Sequence, residues 1–380
     1  MSSDVTTRER SRAVRTAPRR ARLRDRAWKV AELATTPLVP ADYLDLLNPL
    51  RPGAELRGRI EAVHHETADA ATLVIRPGAD WAGHVPGQYV RIGVDVDGVR
   101  HWRAYSLTHG PRRDGRISVT VKAVPGGKVS PYLVHRVGVG TLLHLEQAAG
   151  DFVLPADGGR FLFVTAGSGI TPVIGMLRNL FPVTDSGAVR LPRSEAYDIV
   201  VVHVAPSEPQ SIFLDNLKAL DAAGLIRLVA RYDDRHGQLD VAKLADLVPD
   251  LGERTTFACG PGGLLEALEA HHAERGLPVF TEQFRVARVV TGEGGTVTFT
   301  RSGATVDADA ATPILDAAEA AGVLMPSGCR MGICYGCVLG LREGAVRDLR
   351  TGELTVAAPG DGVIVQTCIS AAAGPCHFEH

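Results

Sequence analysis

The sequence predicts a multidomain protein in which an antiparallel six-stranded β-barrel, a Rossmann-like α/β domain and a small α+β domain follow one another. Six short segments of alternating hydrophobicity, separated by Gly, Pro and Asp turns, predict the barrel over residues 56–156. Continuous apolar runs that lead into helical patterns predict a parallel nucleotide-binding sheet over 157–284. A hairpin pattern, one helix and a cysteine-rich loop predict the third domain over 293–380, which leaves 1–55 as a lead-in and 285–292 as a linker.

The lead-in begins with a basic arm. Residues 1–29 hold ten Arg and Lys against three Asp and Glu, a net charge of +7, whereas residues 293–380 hold five Arg against ten acidic residues, a net charge of −5. The arm is either a solvated tail or a segment attracted to an acidic partner or to anionic lipid headgroups. The stretch "PADYLDLLNPL" that follows has a short helical pattern ended by proline.

The barrel and the parallel sheet are predicted from two different periods. Segments such as "GQYVRIGVDVDG" and "RISVTVKAV" alternate, as strands with one buried face do. After Asp157-Gly158-Gly159 the runs "RFLFVTAG" and "YDIVVVHVA" are apolar throughout, as strands covered on both faces are. The helical patterns "TPVIGMLRNLF" and "IFLDNLKALDAAG" follow them, which predicts repeated βα units.

Composition places the chain among ordinary globular proteins. Of 380 residues, 45% are hydrophobic and 22% charged, enough for two or three domains with real cores. Six cysteines are too few for a disulfide scaffold, and no stretch approaches the ~20 apolar residues of a membrane span. The near balance of 41 basic and 43 acidic residues gives no general attraction to nucleic acid. We therefore expect a cytoplasmic, monomeric protein with reduced thiols.

The cysteine loop "PSGCRMGICYGC" carries the most specific motif. Cys329, Cys334 and Cys337 have the spacing C-x4-C-x2-C, and Cys368 in "IVQTCIS" is the predicted fourth ligand. This is the ligand pattern of a plant-type [2Fe–2S] cluster, and the glycines between the thiols allow the backbone to approach it. Zinc is the alternative, but zinc sites usually pair their cysteines as two C-x2–4-C units.

Two segments of the barrel suit a flavin. In "RAYSLT", Arg103 can bind a phosphate, Tyr105 can contact the ring and Ser106 can lie near the reactive N5. In "GGKVSPYL", the backbone around Gly127 and the hydroxyl of Ser130 can receive a pyrophosphate. Each segment alone is a weak signal, because Arg-x-Tyr-Ser also occurs on ordinary exposed strands.

The order of motifs carries a family resemblance. "GQYVRI", "RAYSLT", "GGKVSPYL", "TAGSGITP", "ACGPGGLL" and "TEQF" strongly resemble the ferredoxin-NADP reductase superfamily over residues 56–284, and the tail from 293 resembles plant-type ferredoxins. The resemblance implies an FAD-binding barrel, an NAD(P)-binding domain and a β-grasp [2Fe–2S] domain. In plant-type reductases the segment matching "TEQF" closes the chain with an aromatic residue over the flavin, whereas here Phe284 is followed by a linker.

The resemblance also implies site residues. The hydride and proton steps fall to Ser106, Cys259 and Glu282, although Cys259 can also be read as a small buried hydrophobe. The implied cofactor-binding residues are Arg103, Ala104, Tyr105, Ser106, Lys122, Gly127, Val129 and Ser130 for the flavin, and Gly167, Ser168, Gly169, Thr171, Pro172, Ser207, Arg231, Cys259, Gly260, Pro261 and Phe284 around the nicotinamide nucleotide and flavin ring.

Two cofactor choices remain within the family. "GGKVSPYL" looks more like the FAD-binding flavohaemoglobin and phenol-hydroxylase-type reductases than like the FMN-binding phthalate-dioxygenase-reductase type, so FAD is expected. Arg231, with Ser207 or Arg235, lies where NADPH-specific members bind the 2′-phosphate, so NADPH is favoured over NADH. A solvated loop arginine is the alternative reading of Arg231.

The resemblance implies that electrons pass from NADPH to FAD, then singly to the cluster and to an acceptor protein. The whole-chain arrangement resembles actinobacterial reductases that feed membrane acyl-CoA desaturases, which would place the protein at the inner face of the membrane. Similar reductases serve Rieske oxygenases, cytochromes P450 and alkane hydroxylases. A rival of another class is a redox carrier or sensor without turnover. A flavohaemoglobin is not expected, because no globin pattern precedes the barrel.

Overall fold

The fold is described from a computed structural model of the 380-residue chain. The described residues are 40–96, 98–182, 197–284, 293–328, 330, 332 and 335–380. The basic arm, the predicted linker 285–292, and two of the predicted cluster ligands, Cys329 and Cys334, lie outside them.

The first domain is a six-stranded antiparallel sheet with the order β4-β3-β6-β1-β2-β5. A bridge between Leu107 and Val119 joins the end of β4 to β5 and closes the sheet into a barrel. Its strands are β1 (Arg57–Thr67), β2 (Ala70–Pro77), β3 (Tyr89–Val96), β4 (Val99–Ser106), β5 (Ile117–Lys122) and β6 (Leu142–Leu145).

Alternation buries one face of each barrel strand. Ile60, Leu73, Val90, Val119 and Leu143, from five different strands, belong to one buried cluster. The predicted barrel is confirmed, with two local differences. The last predicted segment forms only four residues of strand, and the helix α2 (Val129–His135) begins within the "GGKVSPYL" segment. A short helix, α1 (Pro40–Leu47), lies in the lead-in before the barrel.

The second domain is a five-stranded parallel sheet with the order β11-β10-β7-β8-β9. Its two faces are buried separately, one with Phe163 and Val201, the other with Val164 and Val202, which explains the continuous apolar runs. Its elements are β7 (Gly159–Ala166), α3 (Ile170–Leu180), β8 (Tyr197–Ala205), α4 (Leu214–Ala222), β9 (Arg227–Tyr232), α5 (Asp233–His236), α6 (Leu244–Leu247), β10 (Thr255–Cys259), α7 (Gly262–Ala273) and β11 (Val279–Glu282).

The third domain is a mixed sheet with the order β13-β12-β17-β14-β15, in which β16 also pairs with β14. The first strand pairs in parallel with the last, and α8 packs Ile314 and Leu315 onto Phe299 and Phe378 of these two strands. Its elements are β12 (Gly295–Phe299), β13 (Thr305–Ala308), α8 (Ile314–Ala320), β14 (Val338–Asp348), β15 (Leu354–Ala357), β16 (Val363–Gln366) and β17 (Ser370–Phe378).

Helix α3 packs the barrel tightly against the parallel sheet. Gly175 lies so close to the end of β4 that a Cβ atom there would be 2.2 Å from the backbone oxygen of Leu107. One turn further on, Arg178 donates a hydrogen bond to the backbone oxygen of Thr108 at 3.2 Å. No helix in the described part of the chain has the length and apolar character to span a bilayer.

Candidate functional site

Cys259 and Glu282 end two neighbouring parallel strands and are paired in register. The carboxyl ends of parallel strands meet at one edge of the sheet, which is where open α/β sheets bind their ligands. Cys259 is fully buried, and Glu282 is half-buried with its Oε2 lacking a hydrogen-bond partner among the described residues. The two predicted residues therefore lie side by side at the expected edge.

Burial keeps both groups protonated. Burial raises the pKa of Glu282 to about 8. It also raises the pKa of the Cys259 thiol, and a negative charge on the nearby Glu282 would raise that pKa further. At pH 7 the site therefore holds a neutral carboxylic acid beside a neutral thiol. A carboxylic acid in this state can donate a hydrogen bond or a proton.

Ser106 is the last residue of β4 in the barrel, and the next residue, Leu107, contacts α3. Its side chain is 2% exposed and its Oγ is buried without a hydrogen-bond partner among the described residues. A buried hydroxyl left unpaired costs about 1–3 kcal/mol, so an unpaired Ser106 fits a position that a bound group completes. Helix α3 contacts the adjacent Leu107 through Gly175. Gly169, the residue just before the helix, lies so close to β10 that a Cβ atom there would be 2.0 Å from the backbone oxygen of Cys259.

The flavin phosphate candidate Arg103 is a half-buried cation without an acidic partner among the described side chains. It donates a hydrogen bond to the backbone oxygen of Trp102 at 2.8 Å. Burial, helped by the charge of Arg330, lowers its pKa, although the group stays charged at pH 7. Tyr105 on the same strand has its pKa raised by burial, and Ala104 between them pairs with β3. This cation fits a phosphate that would supply the missing negative charge.

The "GGKVSPYL" turn is held by its own predicted residues. Ser130 Oγ accepts a hydrogen bond from the Val124 N–H at 3.0 Å, and the Gly127 N–H donates to the Val124 oxygen at 2.9 Å. Val129 is buried as the first residue of α2. Lys122 pairs with Asp69 at 3.4 Å, so its ammonium is already engaged.

The "GSGITP" motif forms the turn between β7 and α3. Gly167–Gly169 is a single 3-10 turn in which Gly167 has a φ of 55°, a left-handed conformation that suits glycine. Thr171 Oγ1 donates to the Ser168 oxygen at 2.9 Å, and Pro172 is buried in the first turn of α3. A glycine turn at a helix N-terminus favours phosphate, so the arrangement fits a dinucleotide.

Gly260 and Pro261 connect the end of β10, after Cys259, to a second helix. Pro261 precedes α7, and a Cβ on Gly260 would be 3.1 Å from the Ala166 side chain. The motif thus brings the ends of β10 and β7 together. Phe284, two residues beyond Glu282, is half-buried against the core around α3. No side chain of the described residues is recorded stacked on it, so its predicted role over the flavin stays a prediction.

The 2′-phosphate candidates lie at the other end of the sheet edge. Arg231 near the end of β9 pairs in register with Val204 of β8, and it donates to the His236 backbone oxygen at 3.1 Å. Ser207 follows β8 and donates to Gln210 Oε1 at 2.9 Å. Arg235 is paired with Glu208 at 3.0 Å, which leaves Arg231 as the better candidate for a phosphate.

The described half of the predicted cluster site holds two adjacent thiols. A hydrogen bond from Cys368 lowers the pKa of Cys337 to about 6, so one thiolate is readily formed. Thr367 donates from its hydroxyl to the Cys337 oxygen at 2.9 Å, which ties the two ligand segments together. Arg330, at a φ of 60°, binds Asp316 and Glu319 of α8 at 2.6 and 2.5 Å. Paired thiols on anchored segments fit a thiolate-bound cluster.

Sequence reasoning missed two polar side chains of this region. His203 in "YDIVVVHVA" stands within an apolar strand, where it reads as a core residue. Arg178 in "TPVIGMLRNLF" reads as the polar face of a helix, but it is mostly buried, with its guanidinium 4.5 Å from the centre of the Phe213 ring and 2.5 Å from Asn216 Oδ1. No motif marks either residue, because both act through partners far away in the chain.

Comparisons with known proteins agree with this geometry. Residues 59–154 match the family described as "Oxidoreductase FAD-binding domain", and residues 297–373 match the "2Fe-2S iron-sulfur cluster binding domain". The chain is 47% identical over 361 residues to an NADPH oxidoreductase of Mycobacterium tuberculosis, with 92% of this chain and 91% of that protein covered. It is 29% identical to a glycine betaine monooxygenase reductase subunit of Pseudomonas aeruginosa, with 66% and 74% covered.

Among solved structures, phthalate dioxygenase reductase has the same fold. It matches with a TM-score of 0.55 and 22% identity, covering 85% of this chain and 97% of that one. This likeness extends over all three domains in the same order.

Proposed function

Since the chain belongs to the ferredoxin-NADP reductase superfamily, as a member with an FAD-binding domain and a [2Fe–2S] domain, we propose that it oxidises NADPH and passes the electrons singly to an acceptor protein. It is an oxidoreductase of the ferredoxin reductase type, similar to the reductase components of monooxygenase systems. The flavin supplies the conversion from a two-electron hydride to single electrons.

One observation carries this proposal. Gly169, the residue just before α3, contacts the end of β10 at Cys259, and Gly175 within α3, six residues later, contacts Leu107 beside Ser106. Six helical residues span about 9 Å, so the nicotinamide edge and the flavin motif are held at short range by a single rigid element. Positioning of this kind accelerates a transfer between two bound reactants.

Side chains near this edge of the sheet would transfer a proton and align the bound cofactors. In this proposal Glu282, protonated at pH 7, would supply a proton to the bound cofactors together with the Ser106 hydroxyl, whose Oγ has no hydrogen-bond partner among the described residues. Cys259, a neutral and fully buried thiol at the end of β10, would align the nicotinamide for hydride transfer. Arg103 and the turn around Gly127 would hold the flavin phosphates.

The choice of coenzyme is supported by Arg231. It is the cation at the end of β9 that no carboxylate engages among the described residues, and its Nε is buried without a partner there. A 2′-phosphate would fit it, and a relative 47% identical carries the name NADPH oxidoreductase. NADH remains the weaker substrate in this proposal.

The acceptor that we propose is an oxygenase component or a membrane fatty acyl-CoA desaturase. The first is supported by the relative named as a monooxygenase reductase subunit. The second is favoured by the +7 arm, which suits an anionic membrane surface near such an acceptor. A reductase that shuttles between partners needs only weak contacts with either.

The test distinguishes electron transfer to the flavin from electron transfer through the [2Fe–2S] cluster. Cys368→Ser should abolish NADPH-dependent cytochrome c reduction and remove the cluster absorbance, while NADPH–ferricyanide turnover persists, because the hydride step uses only the first two domains. The matched control is Cys376→Ser, a buried cysteine of the same domain that lies outside the predicted ligand set; it should keep both activities. If the wild type oxidised no NADPH, the proposal would be wrong, and the protein would be a redox carrier and not an enzyme.

A further inference from the structure

A row of polar side chains continues beyond Glu282 and Cys259 along the sheet edge. Thr165 of β7 pairs in register with Cys259, and His203 of β8 pairs in register with Thr165. Residues in register on neighbouring strands project from the same face, about 4.8 Å apart. Cys259 belongs to the same buried cluster as Ile170 of α3, so the row lies on the face of the sheet that this helix covers.

The two added members are joined by a buried hydrogen bond. Thr165 Oγ1 and His203 Nδ1 are 2.8 Å apart, and both residues are 0% exposed. Burial lowers the pKa of His203 to about 4, so its imidazole is neutral at pH 7. The other ring nitrogen, Nε2, is buried and has no hydrogen-bond partner among the described residues.

A second histidine–threonine pair in the same domain shows how a structural pair is satisfied. His272 Nε2 is 2.9 Å from Thr256 Oγ1, and His272 Nδ1 is 2.8 Å from the Leu268 backbone oxygen. Both ring nitrogens therefore have partners, and Thr256 lies near the start of β10, away from the ligand edge. His203 differs in both respects, because it lies at the ligand edge and keeps an unsatisfied nitrogen. Packing alone does not account for it, since an unsatisfied buried nitrogen lowers stability.

Thr165 lies at the base of the turn that the coenzyme is proposed to occupy. It precedes Gly167 by two residues, and the same turn brings Gly169 into contact with Cys259. A shift of β7 at Thr165 would therefore move the turn relative to the catalytic edge. The hydrogen bond to His203 ties this point of β7 to β8, in addition to the backbone ladder between the strands.

We propose that Thr165 and His203 are positioning residues of the nicotinamide-nucleotide site, where their hydrogen bond fixes the base of the Gly167–Gly169 turn that receives the coenzyme pyrophosphate. This inference rests on the proposed function. Because NADPH and NADH share the pyrophosphate, the pair supports the binding of both coenzymes equally. Arg231 acts differently, since it would distinguish them by the 2′-phosphate.

The test uses two matched double variants of the holoprotein. Thr165→Val with His203→Leu removes both polar partners at similar volume, and Thr256→Val with His272→Leu does the same at the structural pair. Titration calorimetry with NADP⁺ and with NAD⁺ gives the Kd of each. We expect the first double variant to raise both Kd values about fivefold, as the loss of one hydrogen bond would, and the second to leave them unchanged.

Stability separates positioning from packing. Replacing both partners of a buried hydrogen bond by apolar groups is nearly neutral, so the Thr165→Val, His203→Leu protein should unfold at the wild-type temperature or above it. Two conservative variants add a check that does not depend on the double variant. His203→Asn keeps a polar atom at the Nδ1 position and should keep wild-type affinity, whereas His203→Gln moves it toward the Nε2 position and should weaken binding of both coenzymes.

Three outcomes would overturn the inference. These are unchanged Kd values in the first double variant and in His203→Gln, a loss of affinity for NADP⁺ alone, or a loss of affinity that appears only together with a lower unfolding temperature. In each of them the wild type still binds coenzyme, so the proposed function stands. A wild type that binds neither coenzyme would instead overturn the proposed function together with this inference.

Discussion

Glu282, the last residue of β11, is protonated at pH 7 because its carboxyl group is buried there. Its ordinary pKa of 4.5 is raised to about 8 because burial disfavours the charged carboxylate. The neighbouring Cys259 adds no charge, since its thiol is also kept neutral by burial. A proton is therefore stored at this edge at the pH where the enzyme would work.

We predict that Glu282→Gln removes a pH dependence of stability. A folded pKa above the unfolded one gives stability that is fully present below pH 4.5 and lost as the pH rises through about 8. The wild type should therefore lose several kcal/mol over that range, on the order of 3–5, and the glutamine variant should not. Urea unfolding at pH 5 and pH 8.5 measures this, and the same change in unfolding free energy with pH for the two proteins would contradict it.

Turnover of the Glu282→Gln variant should fall by about 10²-fold, because glutamine cannot donate the proton.

Arg231 permits a prediction about coenzyme choice. Arg231→Ala should raise the KM for NADPH about tenfold or more, since a charge-assisted contact is worth about 1.5–3 kcal/mol, and should leave the KM for NADH nearly unchanged. Steady-state kinetics with both coenzymes test it. Arg235→Ala is the control, because Arg235 is already paired with Glu208. If Arg231→Ala changed the KM for NADPH and the KM for NADH equally, Arg231 would be a solvated loop residue that does not bind the 2′-phosphate.

At the scale of elements, helix α3 holds the two cofactor motifs at a fixed spacing. Gly175 contacts the barrel, and Gly169, the residue just before the helix, contacts the parallel sheet; neither position leaves room for a Cβ. Arg178 adds a polar contact from the same helix to Thr108. The spacing therefore depends on backbone-to-backbone packing, which a single methyl group would disturb.

We predict that Gly175→Ala lowers both stability and turnover. Its Cβ would meet the Leu107 oxygen at 2.2 Å, so the helix must move off the barrel, at a cost of about 1–3 kcal/mol. NADPH–ferricyanide turnover should fall while the flavin content stays the same. Gly263→Ala in α7 is the matched control, because its Cβ meets nothing within 4 Å and alanine favours a helix by about 0.5–1 kcal/mol. Equal behaviour of the two variants would show that α3 does not set the spacing.

At the scale of the whole molecule, net charge is unevenly divided along the sequence. The arm of residues 1–29 carries +7 and the third domain −5. Helix α1, which follows the arm, exposes Leu46 by 75% and Leu47 by 85%. A basic segment beside exposed apolar side chains has the two features that hold peripheral proteins on anionic lipid.

Deleting residues 1–29 should therefore weaken binding to anionic vesicles without changing NADPH–ferricyanide turnover. The difference should fade above ~0.15 M salt, where charges more than about 8 Å apart are largely screened. Flotation of the full-length and truncated proteins with anionic and with neutral vesicles measures this. Equal flotation of the two proteins at low salt would make the arm a solvated tail and would favour a soluble acceptor.

The sequence alone predicted three domains, their order and, through the family resemblance, the kinds of cofactor. Strand periods, glycine turns and the C-x4-C-x2-C spacing are local properties, and local physics is read directly from neighbouring residues. It also predicted that Cys259 and Glu282 belong to one site, through the order of the family motifs. It did not reveal that Lys122 is paired with Asp69, or that the "GGKVSPYL" segment forms a helix.

Only the tertiary structure decided which side chains share the sheet edge and which of them keep a proton. The strand order β11-β10-β7-β8-β9 differs from the chain order, so Thr165 lies between Cys259 and His203 although it is 94 residues from one and 38 from the other. The pKa of Glu282 and the unsatisfied nitrogen of His203 depend on burial by segments distant in sequence. Burial and register are properties of the assembled sheet, and no local pattern contains them.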